Sequence, residues 1–365
     1  MRRGIDVHVI CSATQTQAQS QGETIYPVVK RWDTEGGHMV EQLINTIQPD
    51  WVIVQMVAYA YHDKGLPFSM LSLYARLKRS NIKVLTIFHE IRIRPEGNLK
   101  KWVIGRLQTY YSHQLCKLST KIVTSIDFYA NILQKWQDKL TVIPIGSNII
   151  PIDIQLKDSL TLRKKYQIHE DATIICTFGN RDLTPYLPAF DRLVKENPQL
   201  IWLIGGRTQT PPLILNSRAY IRYVGEMSAD NIYRHLSLGT IFFMPDPLNA
   251  KGEGGTSNKS GSLACACSLN IPIMATKGDL NNALLVEGEQ LLLIDINNTN
   301  TLYDALKQCL ENEALCLKLG NNAYQFYEKE LKWNILADKF LTTIGFSLEH
   351  EEKPKKYDPL SICRI

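Results

Sequence analysis

Pro245-Asp-Pro-Leu-Asn-Ala-Lys-Gly-Glu-Gly-Gly-Thr-Ser-Asn-Lys-Ser-Gly-Ser-Leu263, continued by Ala264-Cys-Ala-Cys-Ser-Leu-Asn-Ile-Pro-Ile-Met-Ala-Thr276, links two apolar runs through a loop rich in Gly and Ser. The run ending at Met244 predicts a strand, and the loop leads into a helix of small residues that Ser257 or Asn258 can cap. The first N–H groups of such a helix have no partners within it, and the helix dipole adds partial positive charge there. With Lys259 beside them, they form an anion site that a diphosphate fits. The competing reading is a flexible surface loop ahead of an ordinary helix.

Outward from this stretch, short β-branched runs recur at 7–11, 51–57, 83–89, 121–125, 141–145, 173–178, 200–204, 220–224, 240–244, 271–276 and 291–295. Most lack strict alternation, as strands buried on both faces do. Helical spacing fills the gaps, as in Leu71-Leu73-Tyr74-Leu77 and Leu306-Cys309-Leu310, and Ser228 with Asp230 marks a helix start. Strands alternating with helices predict an α/β protein with parallel sheets. The alternation breaks once, at 146–158, which is the expected linker. Residues 1–150 and 151–335 then form two Rossmann-like domains facing across a cleft, and ligands bind beyond the carboxyl ends of their strands. A last helix is expected at 336–350, and the Lys/Glu/Pro-rich segment 351–365 is expected to be disordered.

The chain has 365 residues, of which 44% are hydrophobic and 21% charged, so it reads as globular. No apolar run reaches the ~18 residues of a membrane span, and the first residues do not form a signal-peptide core. The expectation is a soluble, cytoplasmic protein. Eight cysteines (Cys11, Cys116, Cys176, Cys265, Cys267, Cys309, Cys316 and Cys363) lie mostly in apolar runs without a C-x-x-C, and read as reduced core residues. Net charge is only +5, but residues 71–140 hold 13 Lys or Arg against four acids, an excess of +9. An anionic partner for that region is expected: a membrane surface, a phosphorylated substrate or nucleic acid. Arg92, Arg94, Lys100, Lys101 and Arg106 flank Trp102 and Tyr110, a mix that suits a membrane interface. Nucleic acid is disfavoured by the low total charge and the lack of a recognised module.

The segment Ser257-Asn-Lys-Ser-Gly261-Ser262-Leu263 through Pro272 to Ala275-Thr276 resembles the donor-binding signature of family 4 glycosyltransferases, which have the two-Rossmann-domain GT-B fold. The likeness extends along most of the chain. His89-Glu90 follows a strand as the family's His-Glu does, and Val142-Ile-Pro-Ile-Gly146-Ser-Asn148 is similar to its domain-junction motif. Phe178-Gly179 and Ile204-Gly205-Gly206 are similar to its second-domain strand ends. Lys332-Trp333-Asn334 resembles the aromatic element of the last helix, which in the family crosses back to the first domain.

This resemblance implies a retaining transferase that uses a nucleotide-diphosphate sugar and needs no metal and no cofactor. The acceptor would be a glycan or a lipid-linked glycan of polysaccharide or cell-envelope synthesis. Ser257, Lys259, Ser260, Gly261, Ser262 and Leu263 would bind the donor diphosphate, with Gly255, Thr256 and Glu253 in the loop before them. Gly179, Asn180 and Arg181 would reach the same phosphates. His89 would sit at the transferred sugar as the catalytic residue. Glu90, Tyr61 and His62 would line the acceptor side, though a solvated strand end and a packed tyrosine loop explain them equally well.

The chain departs from the family in four places. Ser257 and Cys265 stand where many members carry two glutamates, and Glu253 lies four residues too early to replace the first. Thr184-Pro185-Tyr186 stands where a Lys follows the Arg. Lys259 replaces an Arg and loses its bidentate fork. The strand, glycine loop and helix that open the family, about 30 residues or one strand–helix unit, have no counterpart before Arg3-Gly4-Ile5-Asp6-Val7-His8-Val9-Ile10. Apolar surface is therefore expected on the first sheet, with three origins open: an upstream start, a degenerate protein, or a partner chain that completes the domain. A non-catalytic subunit that binds glycan or stabilises a partner transferase is the second functional reading. A phosphorylase or nucleotide-sugar epimerase on the same fold is the third.

Overall fold

The computed structural model describes residues 4–14, 22–281 and 283–346. The first half runs β1 (His8–Ser12), β2 (Thr24–Val29), α1 (Thr34–Ile47), β3 (Trp51–Met56), α2 (Ala58–Tyr61), α3 (Ser69–Arg79), β4 (Lys83–Phe88), α4 (Leu99–Leu118), β5 (Lys121–Thr124), α5 (Asp127–Ile132) and β6 (Leu140–Val142). The second half runs α6 (Leu156–Lys165), β7 (Ile174–Phe178), α7 (Leu187–Glu196), β8 (Ile201–Gly205), α8 (Pro212–Asn216), β9 (Ile221–Gly225), α9 (Ala229–Leu236), β10 (Ile241–Met244) and α10 (Gly261–Ser268). It ends with β11 (Ile273–Thr276), β12 (Leu292–Ile294), α11 (Thr299–Glu311), α12 (Glu313–Phe326) and α13 (Trp333–Thr343).

All eleven apolar runs form strands, each within three residues of its expected ends. The addition is β2. Its Pro27 argues against a strand interior, but among the described residues β2 bonds only to β1 in a two-stranded parallel ladder, where a missing N–H is tolerated.

The second-domain sheet has the order β12-β11-β10-β7-β8-β9 and is parallel throughout. The chain winds outward from β7 to β9, returns to β10 beside β7, and winds outward again to β12. The order therefore reverses between β7 and β10, which opens a crevice at their carboxyl ends. Both faces are covered, so the strands are apolar on both sides. Cys176, Phe242 and Met244 share a core with Leu263 and Cys265 of α10. On the opposite face Ile175, Trp202 and Phe243 pack with Phe190 of α7 and Leu306 of α11, and the Phe190 and Trp202 rings stack at 3.7 Å.

The first-domain sheet is β3-β4-β5-β6, also parallel. Ile10 and Val29 of the β1–β2 pair share a core with Val54 and Met56 of β3, yet among the described residues no ladder joins β1 to β3. Beside this break Val7, Val9 and Ile53 are 46%, 37% and 48% exposed. The apolar surface expected on this sheet is therefore present.

The domains meet at the loop after β6. Gly146 lies under α13, and a Cβ there would sit 2.8 Å from Leu336 and 3.0 Å from Trp333. The Trp333 indole donates to the Ser147 carbonyl at 2.7 Å. Leu336 packs against Leu85, Ile87, Val123 and Ile143, so α13 returns to the first sheet. The crossing helix thus begins three residues before the expected 336 and is helical to Thr343. The expected tail at 351–365 lies outside the described residues. The seven described cysteines are free thiols, five of them buried; Cys363 also lies outside the described residues.

Candidate functional site

The loops that follow β7 and β10 meet at the reversal point of the second sheet. Gly179 has φ +110°, and a Cβ there would collide with Arg181 at 2.3 Å and approach the Ser262 hydroxyl to 3.8 Å. The positive φ, which L side chains rarely adopt, is what calls for glycine in this loop beside the start of α10. Gly255, at φ +82°, would place a Cβ 2.9 Å from the Gly278 backbone, so the loops after β10 and β11 also touch. Asn180 is exposed.

Arg181, expected on the donor phosphates, pairs with a carboxylate of its own domain. It is 7% exposed, and its guanidinium donates to Asp246 at 2.7 Å and to the Phe178 carbonyl. The other oxygen of Asp246 accepts from the Thr256 hydroxyl at 2.9 Å, and Thr256 bonds in turn to the backbone of Thr276. Arg181 is thus neutralised by an acid of its own domain. The chain Arg181–Asp246–Thr256–Thr276 ties three strand ends together, while the buried Arg181 Nε has no protein partner.

The start of α10 is capped by Ser260, whose hydroxyl accepts from the Leu263 N–H, rather than by Ser257 or Asn258 as expected. Leu263 is buried, and its backbone is held by the cap. Asn258 is 1% exposed, and both polar atoms of its amide lack a protein partner. Its carbonyl accepts from Ile145 N–H at 2.9 Å, which joins the loop to the domain junction. Lys259 reaches across the cleft to the Tyr129 hydroxyl at 3.2 Å and forms no ion pair among the described residues. The helix start therefore combines free N–H groups, an uncompensated ammonium and a buried amide with unused hydrogen-bonding capacity. Such a cradle attracts an anion.

On the first-domain side, His89 follows β4 and bonds through Nε2 to Oε1 of Gln55 at 2.6 Å. With that oxygen accepting, Nε2 carries the proton and Nδ1 is left as an acceptor. Burial holds the imidazole below its ordinary value against the opposing charge of Glu90, so it is neutral at pH 7. Glu90 is exposed and borders a crevice with Tyr59, Arg92, Ile93 and Gln108. Tyr61 packs edge-on to Trp32, gives its hydroxyl to the Gln55 carbonyl and is pushed up to about 12 by burial. The His62 ring accepts from the Lys64 N–H within its own turn. Tyr61 and His62 are thus engaged in local structure, and His89 and Glu90 remain at the strand end.

A contact with no sequence signal spans the cleft. Arg94 grips Asp279 through both terminal nitrogens, at 2.9 and 3.1 Å, and lies 3.5 Å from Glu253. Its guanidinium also stacks 4.9 Å from the Phe128 ring, and Asp127 accepts from the Ala283 N–H at 3.3 Å. Glu253 is held by the Asn249 amide and this clasp. Arg94 is therefore withdrawn from the membrane-facing set expected above. Asp246 and Gln55 were also missed; both lie at strand ends, which was the available clue.

Among the described residues no cluster of His, Cys, Asp and Glu is placed to hold a metal, and no helix is long and apolar enough to cross a membrane. Two Rossmann-like domains, a junction loop and a returning last helix define a GT-B fold. Solved structures with this fold match most of the chain. A glycosyltransferase from Rickettsia africae is 16% identical, with a TM-score of 0.69 over 93% of this chain and 90% of its own. Anabaena HepE in complex with UDP is 13% identical, with a TM-score of 0.62 over 85% and 82%. A putative UDP-N-acetylglucosamine 2-epimerase from Listeria monocytogenes is 12% identical, with a TM-score of 0.52 over 85% and 77%. No protein-family model and no curated protein sequence matches.

Proposed function

We propose that this chain is a glycosyltransferase that moves a sugar from a nucleotide-diphosphate sugar to a glycan or lipid-linked acceptor, with retention and without a metal. The observation that carries this reading is the start of α10, an anion cradle at the reversal point of the second sheet that opens toward the first domain. The diphosphate would accept hydrogen bonds from the first N–H groups of α10. The Lys259 ammonium would offset the negative charge that grows on the leaving diphosphate, the role a cation fills elsewhere. His89, neutral and donating to Gln55, would present its backbone and Nδ1 toward the sugar hydroxyls. The solved transferase neighbours, one of them bound to UDP, support the substrate class.

A second reading is a non-catalytic subunit. Two observations favour it: Arg181 is paired with Asp246, and among the described residues no ladder joins β1 to β3. A thermal-shift screen against UDP, GDP, ADP and CMP, with and without their sugars, separates the two. A ligand at a hundred times its Kd adds about 2.7 kcal/mol to native stability, a clear rise in melting temperature. A shift with one nucleotide supports the transferase. No shift with any, from a cooperatively folded sample, refutes the donor site and leaves the subunit.

A further inference from the structure

We propose that the β11–β12 loop is a latch through which the first domain holds the shape of the loop that precedes α10, with Asp279 as the positioning residue. Thr276, the last residue of β11, accepts from the Thr256 N–H at 3.1 Å. Beyond it the two loops stay bonded. The Asn281 amide donates to the Thr256 carbonyl at 2.6 Å, the Leu280 N–H to the Gly254 carbonyl at 3.1 Å, and the Gly254 N–H to Oδ1 of Asp279 at 2.8 Å. The same short run also engages the other domain. Leu280 is 9% exposed and belongs to the first-domain core with Phe88, Ile126 and Tyr129. Asp279 accepts from both terminal nitrogens of Arg94, and its Oδ1 is the atom that also accepts from Gly254. One carboxylate thus joins a first-domain cation to the backbone of the loop before the cradle. That loop has little stiffness of its own, since Gly254 and Gly255 stand at φ +130° and +82°. Its shape is therefore set by what it is bonded to.

Charge adds a second effect. Arg94 also lies 3.5 Å from Glu253, and among the described residues neither Glu253 nor Asp279 has another ion pair. With Arg94 engaged, one cation offsets these two acids. With Arg94 withdrawn, two uncompensated carboxylates stand on the loops beside the anion cradle and oppose a diphosphate there. A nucleotide diphosphate would then bind the latched state more tightly and, by linkage, favour it. This consequence rests on the transferase reading; the latch does not.

The test is amide hydrogen exchange of the whole chain without ligand, read at Gly254 and Thr256. Neither Arg94→Met nor Leu280→Ala removes a hydrogen bond of these amides, yet each should speed their exchange about fivefold. Asp279→Asn keeps an acceptor for the Gly254 N–H and loses the charge, so it should match Arg94→Met. The double variant should be no faster than either, because both break one contact. Arg207→Met, which breaks an exposed pair with Glu226 inside the second domain, should leave both amides unchanged. Arg94→Met decides the matter if Leu280→Ala does not fold. Exchange at the wild-type rate in Arg94→Met, additive speeding in the double variant, or equal speeding by Arg207→Met overturns the latch. Titration with UDP is the second arm. Arg94→Met should weaken UDP binding about fivefold, and adding Glu253→Gln and Asp279→Asn should restore most of it. Unchanged UDP affinity in a variant whose loop exchanges faster overturns the charge effect. A wild type that ignores UDP and the other nucleotides of the screen counts against the donor site and leaves the exchange result standing, so the two failures are distinguishable.

Discussion

Arg181→Met tests whether the arginine at the end of β7 holds the site together or holds the substrate. Its partner Asp246 is 17% exposed and 2.7 Å away, and it also accepts from Thr256. The substitution leaves a largely buried carboxylate facing an apolar side chain. Breaking one side of a buried pair costs about 3–5 kcal/mol, because the remaining charge is neither solvated nor neutralised. For a domain of this size, that corresponds to a drop of roughly 10 °C in melting temperature. The assay is calorimetric melting of the wild type, Arg181→Met, Asp246→Asn and the double variant. Each single variant should fall, and the double should fall by less than their sum, because removing both charges leaves no orphan. If Arg181→Met melts like the wild type and only the nucleotide-induced shift is lost, the argument fails and Arg181 belongs on the phosphates after all.

Three further outcomes are expected. Lys259→Met removes a hydrogen bond to a neutral phenol and orphans no acid, so its stability cost should stay within about 1 kcal/mol. Sugar transfer should fall ~10²–10³-fold, and normal turnover would refute the assignment. Arg94→Met should change stability by less than about 1 kcal/mol, since Asp279 is partly exposed. By releasing the clasp it should increase the radius of gyration in solution scattering, and identical scattering would show that the ion pair does not set domain closure. Acid should destabilise the fold through His89, His113 and His235, which burial keeps below their ordinary value of 6.5. As pH falls through that value the unfolded chain takes up protons that the folded chain does not, so stability drops until pH passes the depressed values. Melting temperature followed between about pH 7 and 5 checks this; a flat or rising curve would contradict it.

The strands were legible because each is a compact apolar run that must be buried, and burial on two faces needs no partner-specific information. β2 was not among the expected runs: Thr24–Val29 is short and interrupted by Pro27, and among the described residues it pairs with β1 alone. The Gly/Ser loop and small-residue helix marked the anion cradle for the same local reason: exposed N–H groups are a property of any helix start. The cap was less legible. Ser257, Asn258 and Ser260 all carry the right chemistry, and the path of the loop decides that Ser260 reaches the Leu263 N–H.

What the sequence by itself determined is therefore the α/β alternation, the junction at Gly146 and the position of the cradle, all written in residues near one another. Tertiary structure alone decided how the charges are spent. Arg181 finds Asp246 65 positions away, and Arg94 finds Asp279 185 positions away across the cleft. The sequence does not say which carboxylate an arginine in a motif will meet. Electrostatic partners are chosen by distance through space, and distance along the chain does not encode it.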